Sequence, residues 1–543
     1  MAAIAGLAAM ALIGLPGPAA RAASRAVPRA RPGQTKAAAT SAGPIAAGMF
    51  RGCTPAGQPM KVIVGRVACQ EMATRLLGGT TAFAYFVPSA CAPNRHRRCP
   101  VLYLLHGFGG DYTSMLGTAS APSAWVAALD SAPPVPPEQS ASPWTESDSS
   151  KWVGASPLAM ILVAPDGRIT PGGYGPQAGL DGYWADWNPR YAAGGDEQSY
   201  DTPAPRFASF VGQELVPFID AHLPVGRGRD WQALAGTSLG GYGSYAIGLA
   251  HPDQWASLGA VSGIMNILLL PGLDPSASAG PVGLQPPVDV GYSHLPGHLV
   301  PLGDLPGPAQ DFGAATYVFG DPSVDQAYYR GNQPVDLAFN ALADGPGGQS
   351  VYIRGFSNDA VPRQASDLSS PSGYLGAQAF ESLVLVTNTE LNQSFNDVGV
   401  SYTYQRHPGI HEDAYWNPWL REQEVAQYAR LAHWDGGGAP PAQPTSFSYR
   451  SIYTSFSIWG WAVSVQRPDI EFLQMSAVSC SGFTLRGTGT VTVTVPASCH
   501  RGLAGHPRVT VDLGPSMPVD AQGGTDASPA YGRTVTVRLT PLR

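Results

Sequence analysis

The pentapeptide Gly236-Thr237-Ser238-Leu239-Gly240 follows the G-x-S-x-G pattern. The short run Trp231 to Leu234 before it is predicted to be a strand, and Tyr242 to His251 after it a helix. A serine on a sharp strand-to-helix turn is presented as a nucleophile toward ester carbonyls. Gly236 and Gly240 are expected there because a Cβ at either position would clash in so tight a turn. With 65 glycines among 543 residues, the pentapeptide needs support from its surroundings.

A serine nucleophile needs a base and an acid that orients the base, each expected on a loop after a strand. Ser350 to Arg354 is predicted to be a strand and is followed by Asp359. Val400 to Gln405 is predicted to be the next strand and is followed by His411. The order serine, acid, histidine is that of α/β-hydrolases. We therefore predict Ser238 as nucleophile, Asp359 as acid and His411 as base.

Other residues compete for two of these roles. His407 competes with His411, but it sits at the strand edge and is held by the following Pro408. His411 lies farther out, where a loop can bring it over the serine. Asp359 is preferred as the acid because it follows a strand. The competing carboxylates fall on a predicted helix from Ala379 to Asp397 and are Glu381, Glu390 and Asp397.

A second glycine-rich turn, His106-Gly107-Phe108-Gly109-Gly110, directly follows the continuous apolar run Pro100 to Leu105. Such runs are typical of central strands that are buried on both faces. In α/β-hydrolases this turn supplies one backbone N–H to the oxyanion hole, and the residue after the nucleophile supplies the other. We predict Phe108 and Leu239 as these donors, with Gly109 as the alternative to Phe108. His106 is expected to be a structural residue below the turn.

The elements that position these residues form a repeating pattern. Met160 to Ala164 and Ser257 to Val261 are predicted to be buried strands, and Phe207 to His222 and Tyr415 to Trp434 amphipathic helices. Alternating strands and helices imply a mainly parallel sheet with helices on both faces, which is the α/β-hydrolase fold. We assign residues 49–435 to this catalytic domain. Insertions at 118–150 and 263–315 are expected to influence the acyl and alcohol groups accepted, and whether 263–315 covers the site stays open.

The last hundred or so residues follow a different pattern. Residues 436–446 are rich in Gly and Pro and are predicted to be a linker. Residues 447–543 contain period-two runs with frequent turns, which predicts an all-β module of the sandwich type. Trp459 and Trp461 permit contact with carbohydrate or cell wall, although two aromatics in a strand are more typical of a core.

The N-terminus is typical of an exported protein. Residues 1–22 are expected to be a signal peptide, with an apolar Ala-rich run and the small-x-small site Ala20-Arg21-Ala22, and residues 23–48 a disordered linker. Export predicts three disulfides from the six cysteines. Proximity in the sequence favours the pairs Cys91–Cys99 and Cys480–Cys499, which leaves Cys53–Cys69.

Charge and cysteine spacing narrow the functional classes. The formal net charge of −7 argues against a nucleic-acid partner and against a basic membrane-binding surface. No other segment approaches the length of a transmembrane span. There is no C-x-x-C pair, so neither a zinc site nor another metal is expected. A serine mechanism also requires no cofactor.

The chain resembles the putative-esterase family, which includes esterase D, feruloyl-type esterases and the mycobacterial mycolyltransferases. The resemblance covers about residues 60 to 435 and rests on Leu104–Gly110, Tyr183–Trp187, Gly236–Gly241, Phe319–Pro322, Gly355–Asp359, and Gly409–His411 shortly before Tyr415-Trp416. It implies Ser238 as nucleophile, Asp359 as acid and His411 as base. In mycolyltransferases the residue at the position of the acid is often Glu. It also implies Phe108 and Leu239 as oxyanion donors.

Two departures separate this chain from the mycolyltransferases. These enzymes generally have Asp-Gly where His106-Gly107 stands, and Ser-Trp after the base where Glu412-Asp413 stands. Both differences favour a general esterase, so the sequence predicts an exported serine carboxylic-ester hydrolase with a small-molecule, lipid or polymer ester substrate. The alternative within the same chemistry is acyl transfer to a sugar or another alcohol. The alternative of another class is a non-catalytic surface-binding protein on a hydrolase scaffold.

Overall fold

The structure is a computed structural model in which Gly43–Arg543 form one compact unit. Most of the predicted insertions and of the 436–446 linker, together with the predicted signal peptide and the linker at 23–48, lie outside the described residues. No helix in the described part of the chain is long and apolar enough to cross a bilayer. The structure describes residues 49–95, 97–130, 158–170, 172–174, 179, 181–189, 203–269, 318–320, 325–344, 350–356, 371–400, 402–407, 409–431, 444–499, 507–515 and 532–539.

An eight-stranded sheet forms the centre of the α/β region. Its strands are β1 Ala68–Thr74, β2 Gly79–Phe86, β3 Val101–Leu105, β4 Ile161–Pro165, β5 Gln232–Thr237, β6 Ser257–Val261, β8 Ser350–Phe356 and β9 Thr403–His407. The order across the sheet is β1-β2-β4-β3-β5-β6-β8-β9. Strands β4, β3, β5, β6, β8 and β9 are parallel, and β1 and β2 are antiparallel to their neighbours. The carboxyl ends of β5, β6 and β9 therefore lie on the same edge of the sheet.

Helices cover both faces of this sheet. They are α1 Tyr112–Leu116, α2 Ala124–Asp130, α3 Phe207–Phe210, α4 Val216–His222, α5 Leu239–Ala250, α6 Gln326–Arg330, α7 Pro334–Leu337, α8 Pro371–Val398, α9 Asp413–Trp416 and α10 Leu420–Leu431. A π-helical turn, Val211–Leu215, joins α3 to α4. Tyr103 of β3 packs in the core with α3, α4, α5 and α8, whereas Leu102 and Leu104 pack in the core with α1, α2, α9 and α10. Burial on both faces explains the continuous apolar runs of the central strands.

Two predicted elements differ from the observed ones. The first edge strand, predicted from Met60 to Cys69, begins only at Ala68, and the preceding residues contribute a single bridge between Val64 and Val87. Gly65 has φ +77°, which interrupts an extended strand at that point. The helix predicted from Ala379 begins two turns earlier, at Pro371, where the fixed φ of proline suits the first turn of a helix.

The C-terminal module consists of two antiparallel sheets. Its strands are β10 Ser446–Ser451, β11 Ser455–Ile458, β12 Trp461–Gln466, β13 Leu473–Ser479, β14 Gly482–Gly487, β15 Thr490–Thr494, β16 Arg508–Asp512 and β17 Arg533–Arg538. One sheet has the order β11-β12-β15-β16. The other has the order β17-β14-β13-β10 and is extended by β7, Ala343–Asp344, from the α/β region. The fold is thus an α/β-hydrolase fold with an all-β module, as predicted.

The two tryptophans considered for carbohydrate contact belong to the core of the module. Trp459 is 8% exposed and Trp461 is 3% exposed. The Trp461 ring packs edge-on against Phe483 at 5.7 Å between centroids. The Trp459 ring lies under the Arg229 guanidinium of the α/β region, at 5.3 Å. Packing in the core therefore explains the presence of both tryptophans.

The cysteines are joined in the pairs expected from their spacing: Cys53–Cys69, Cys91–Cys99 and Cys480–Cys499. The first two crosslink the N-terminal part of the α/β region, and the third lies within the module. Each loop that they close is short, with sequence separations of 16, 8 and 19 residues.

Buried hydrogen bonds join the module to the α/β region. Asn340 accepts a bond from the Arg450 N–H at 2.8 Å and donates one to the Arg450 carbonyl at 3.1 Å. Tyr449 Oη donates to the Ala250 carbonyl at 2.7 Å, and the Trp459 N–H donates to Asp253 Oδ2 at 3.0 Å. A β10 backbone bonded to a side chain outside the module indicates that the two regions fold against each other.

Replacing Asn340 should therefore weaken the whole protein. Asn340→Ala leaves the buried N–H and C=O of Arg450 without these partners, and we expect a loss of about 2 kcal/mol in unfolding free energy. Denaturant unfolding followed by fluorescence measures this. Gln393→Ala is the matched control, because it removes an exposed side-chain bond to Asp397. Equal stability of the two variants would contradict a structural role for the junction.

Candidate active site

Ser238 stands on a strained turn between β5 and α5. Its backbone has φ 54° and ψ −121°, a region that residues with a Cβ rarely adopt. The turn is held because the Ser238 N–H donates to the Val261 carbonyl at the end of β6, at 2.9 Å. The Ser238 carbonyl in turn accepts from the Tyr242 N–H at 3.1 Å, the first hydrogen bond of the helix. This geometry projects the side chain from the carboxyl edge of the sheet.

The glycines flanking Ser238 make this turn possible. A Cβ on Gly240 would lie 1.9 Å from the Leu105 carbonyl oxygen, and a Cβ on Gly236 would lie 2.3 Å from the Gly240 carbonyl carbon. Backbone atoms of β3 cannot move to accommodate such a group, because β3 is a buried central strand. The turn thus brings the end of β5 against the end of β3.

His411 lies over Ser238, four residues after β9. Its Nε2 is 2.8 Å from Ser238 Oγ. The rings of Phe380 and Trp416 pack edge-on against the imidazole, at 4.5 and 4.8 Å between centroids. These contacts fix the plane of the ring. His407, the competing candidate, stacks instead on Trp419 at 3.6 Å.

Glu381 on α8 completes the array, in place of the predicted Asp359. Its Oε2 is 2.7 Å from His411 Nδ1, and its Oε1 accepts a hydrogen bond from Ser262 Oγ. Because an ionised carboxylate only accepts hydrogen bonds, Nδ1 of His411 carries the proton and Nε2 can accept from Ser238. Asp359 lies outside the described residues, and the orienting position at Nδ1 is occupied by Glu381.

The preference for Asp359 rested on the rule that triad residues follow strands. Glu381 instead reaches His411 from the third turn of a long helix, and only the three-dimensional packing of α8 against β8 shows this. One signal was present in the sequence. Glu381 lies among Phe380, Leu383 and Val384, and a carboxylate on an apolar helical stripe must have a partner if it is buried. It is 0% exposed in the structure. The other competitors lie elsewhere on α8: Glu390 bonds to Asn266, and Asp397 bonds to Gln393.

The turn His106–Gly110, called the oxyanion turn below, lies against the nucleophile. A Cβ on Gly107 would be 3.2 Å from Ser238 Cβ, so the backbone of the turn approaches the serine closely. The Gly109 N–H donates to Asp181 Oδ2 at 2.5 Å, which removes Gly109 as the oxyanion donor. Leu239 is the first residue of α5, where backbone N–H groups have no partner within the helix. The remaining pair of predicted donors is Phe108 and Leu239.

His106 is a buried structural residue with a defined tautomer. The Gly167 N–H points at His106 Nε2 at 2.9 Å, so Nε2 must be unprotonated. Nδ1 then carries the proton and donates to the Gly107 carbonyl at 2.8 Å. That carbonyl belongs to the same peptide group as the Phe108 N–H, and in a trans peptide the two point in opposite directions. Fixing the carbonyl therefore fixes the direction of the Phe108 N–H.

Burial raises the pKa of Asp181, the carboxylate that holds Gly109. The hydrogen bond from the Gly109 N–H lowers this pKa, but its effect is smaller. No cluster of three or more His, Cys, Asp or Glu suited to a metal ion occurs within the described ranges. The side chains hydrogen-bonded in series from Ser238 are an imidazole and a carboxylate.

A family model described as Putative esterase matches residues 176–426. The matched segment is thus similar to the putative esterase family over 251 of the 543 residues. The matched range contains Ser238, Glu381 and His411. This match agrees with the resemblance to the putative-esterase family seen in the sequence.

Solved structures similar to this chain include a hydrolase, an esterase and MPT51. An S-formylglutathione hydrolase from Agrobacterium tumefaciens is 14% identical, with 68% of this chain and 98% of that chain covered and a TM-score of 0.42. A ferulic acid esterase is 17% identical, with 67% and 97% covered and a TM-score of 0.38. MPT51 from Mycobacterium tuberculosis is 15% identical, with 66% and 96% covered and a TM-score of 0.36.

The close approach at the turn makes Gly240 a sensitive position. We expect Gly240→Ala to lower stability by about 4 kcal/mol or more, because the methyl group has no space beside Leu105. Soluble yield and the melting temperature measure the effect. Gly79→Ala is the matched control, since a Cβ there would lie 3.6 Å from Thr170 Oγ1 and 3.7 Å from the Gly173 backbone, which are ordinary contacts. A Gly240→Ala protein as stable as the control would show that the turn can relax.

Proposed function

We propose that the protein is an exported serine carboxylesterase with Ser238 as nucleophile, His411 as base and Glu381 as acid. The observation that carries this proposal is the continuous hydrogen-bond chain from Ser238 Oγ through His411 to Glu381, with distances of 2.8 and 2.7 Å. The match to the putative esterase family supports the part of this proposal that assigns an esterase activity. The three disulfides support export, because disulfides persist in oxidising compartments.

The acylation step follows from these contacts. Ser238 Oγ attacks the ester carbonyl carbon while His411 Nε2 takes its proton. The carbonyl oxygen becomes an oxyanion between the N–H groups of Leu239 and Phe108. When the tetrahedral intermediate collapses, the bond to the alcohol oxygen breaks, and His411 returns the proton to the leaving alcohol. The acyl group is then an ester of Ser238.

Glu381 stabilises the step in which His411 is charged. It stays ionised, accepts from Nδ1 and faces the imidazolium at hydrogen-bond distance. Ser262 Oγ bonds to its other oxygen and limits rotation of the carboxylate. Ser262 itself has φ 51°, so a second strained residue after a strand, here β6, serves this site.

Deacylation repeats the sequence with water. His411 takes a proton from water, the hydroxide oxygen attacks the acyl carbon, and Ser238 leaves with the proton that His411 returns. An alcohol in place of water would give transfer of the acyl group rather than hydrolysis. Hydrolysis and acyl transfer use the same residues of the protein. They differ only in whether water or an alcohol accepts the acyl group.

The activity can be tested with a p-nitrophenyl ester of a short acid. We expect turnover by the wild type, labelling of Ser238 by a fluorophosphonate, and loss of both in Ser238→Ala by several orders of magnitude. Thr237→Ser, beside the nucleophile, is a control that keeps a hydroxyl there. Wild-type protein that neither turns over nor is labelled would favour a non-catalytic binding protein. Adding a sugar alcohol in excess and assaying for its ester separates transfer from hydrolysis.

The identity of the acid can be tested by two matched amides. Glu381→Gln should lower kcat by about 10³ to 10⁴, because an amide in this position can favour the wrong His411 tautomer. Asp359→Asn, the matched variant at the position predicted from the sequence, should keep kcat within about threefold of the wild type. A large loss in Asp359→Asn together with a small one in Glu381→Gln would reverse the assignment.

A further inference from the structure

The segment Asp181–Trp184, called the clamp segment below, contacts the oxyanion turn at three points. We propose that Asp181 is a positioning residue for ester cleavage, which holds the Phe108 N–H in the direction that the oxyanion requires. This inference rests on the proposed function, since it assigns a role within the same site. Asp181 does not touch the reacting atoms in this arrangement and acts through the backbone of the turn.

The first contact is the hydrogen bond from Gly109 to Asp181. The bond is 2.5 Å long, and the Asp181 side chain is 4% exposed, so water does not compete for it. Gly109 has φ +72°, a conformation that glycine alone adopts easily, and it has other conformations available. Without a fixed acceptor for its N–H, the peptide group between Phe108 and Gly109 would be free to rotate.

The second and third contacts come from the aromatic rings of the clamp segment. Trp184 Nε1 donates to the His106 carbonyl at 3.0 Å, and its ring packs edge-on against the His106 imidazole at 4.9 Å. The Tyr183 ring packs against the Phe108 ring at 6.2 Å. The clamp segment therefore contacts three of the first four residues of the oxyanion turn.

Backbone strain in the clamp segment indicates that its placement is specific. Tyr183 has φ 53° and Trp184 has φ 50°, two consecutive aromatic residues in the left-handed region. Residues with a Cβ adopt this region only where the surrounding structure holds them there. Space for the Trp184 ring is provided by Gly167 and Gly243, where a Cβ would lie 2.7 and 2.6 Å from the nearest ring atom. A relaxed backbone would move both rings and the carboxylate away from the oxyanion turn.

Together with His106, Asp181 fixes both peptide groups that flank the Cα of Phe108. His106 Nδ1 and the Gly110 N–H both donate to the Gly107 carbonyl, which sets the peptide group carrying the Phe108 N–H. Asp181 sets the next peptide group through the Gly109 N–H. With both planes fixed, φ and ψ of Phe108 are fixed too. An oxyanion donor needs this fixed direction, because it stabilises charge that exists only in the transition state.

The test compares Asp181→Ala with Asp181→Asn. An Asn oxygen can still accept from Gly109, whereas Ala offers no acceptor. For a p-nitrophenyl ester we expect Asp181→Ala to lower kcat by about 10- to 100-fold with KM within about threefold, somewhat less than removal of a whole oxyanion donor. Asp181→Asn should restore kcat to within about threefold of the wild type. Rates are expressed per Ser238 labelled by the fluorophosphonate, so unfolded protein does not count.

Asp186→Ala is the matched control on the same loop. Asp186 is also buried and accepts from a backbone N–H, that of Ser209, but its bonds are to Ser209 and Arg206 rather than to the oxyanion turn. It should lower the melting temperature and leave kcat per labelled serine unchanged. Equal kcat losses in Asp181→Ala and Asp186→Ala, a change confined to KM, or no rescue by Asn would each overturn the proposal.

Amide hydrogen exchange over residues 106–110 measures the mobility of the oxyanion turn directly, so this test of Asp181 does not depend on turnover. Asp181→Ala should speed exchange in this peptide at least tenfold, while Asp181→Asn should not. If the wild type shows no turnover and no labelling, the proposed function fails, and exchange still decides whether Asp181 holds the turn. If the wild type is active and Asp181→Ala retains full kcat, only the positioning role fails.

Discussion

The site depends on one backbone constraint, the turn in which Ser238 is held at φ 54° between β5 and α5. Such a turn is possible only where β5 and β3 approach closely, because Gly240 lies against the Leu105 carbonyl. The same approach places the oxyanion turn, which continues β3, beside the nucleophile. The close approach of β5 and β3 therefore positions both the proposed nucleophile and the proposed oxyanion donors. The strain is offset by a large buried sheet, whose central strands tolerate little movement.

The buried carboxylate Glu381 is the second constraint. A charge removed from water is costly unless it is paired and hydrogen-bonded. Here both oxygens have partners, His411 and Ser262, and each partner follows a strand of the same sheet. Helix α8 brings the carboxylate over the carboxyl ends of β6 and β9, so a long helix replaces a loop as the support of the acid. A residue held in mid-helix has little freedom, which suits a group whose role is to orient another side chain.

The parts of the fold and site that were predictable from sequence are those set by local pattern. Tight spacing of glycines around Ser238 and the continuous apolar run before His106 need no knowledge of distant contacts. His411 could be predicted because the order serine, acid, histidine along the chain restricts the candidates for the base. Glu381 was among the candidate acids but could not be selected, because its proximity to His411 depends on how α8 packs, and only Asp359 satisfied the rule that such residues follow strands. Strand β7 was missed for the same reason: two residues have no period, and only pairing with β10 makes them a strand.

The junction with the β module extends these constraints to the far end of the nucleophile helix. Ser238 anchors the start of α5 at the sheet, and the carbonyl of Ala250, its last residue, accepts from Tyr449 of the module. In the first turn of the helix, Tyr242 Oη donates to the Asn332 carbonyl, and Asn332 Oδ1 accepts from Tyr453 of the module. A helix bonded in this way in its first turn and at its last residue can shift little along its axis. The module therefore contributes to the rigidity of the element that carries Ser238, whatever else it binds.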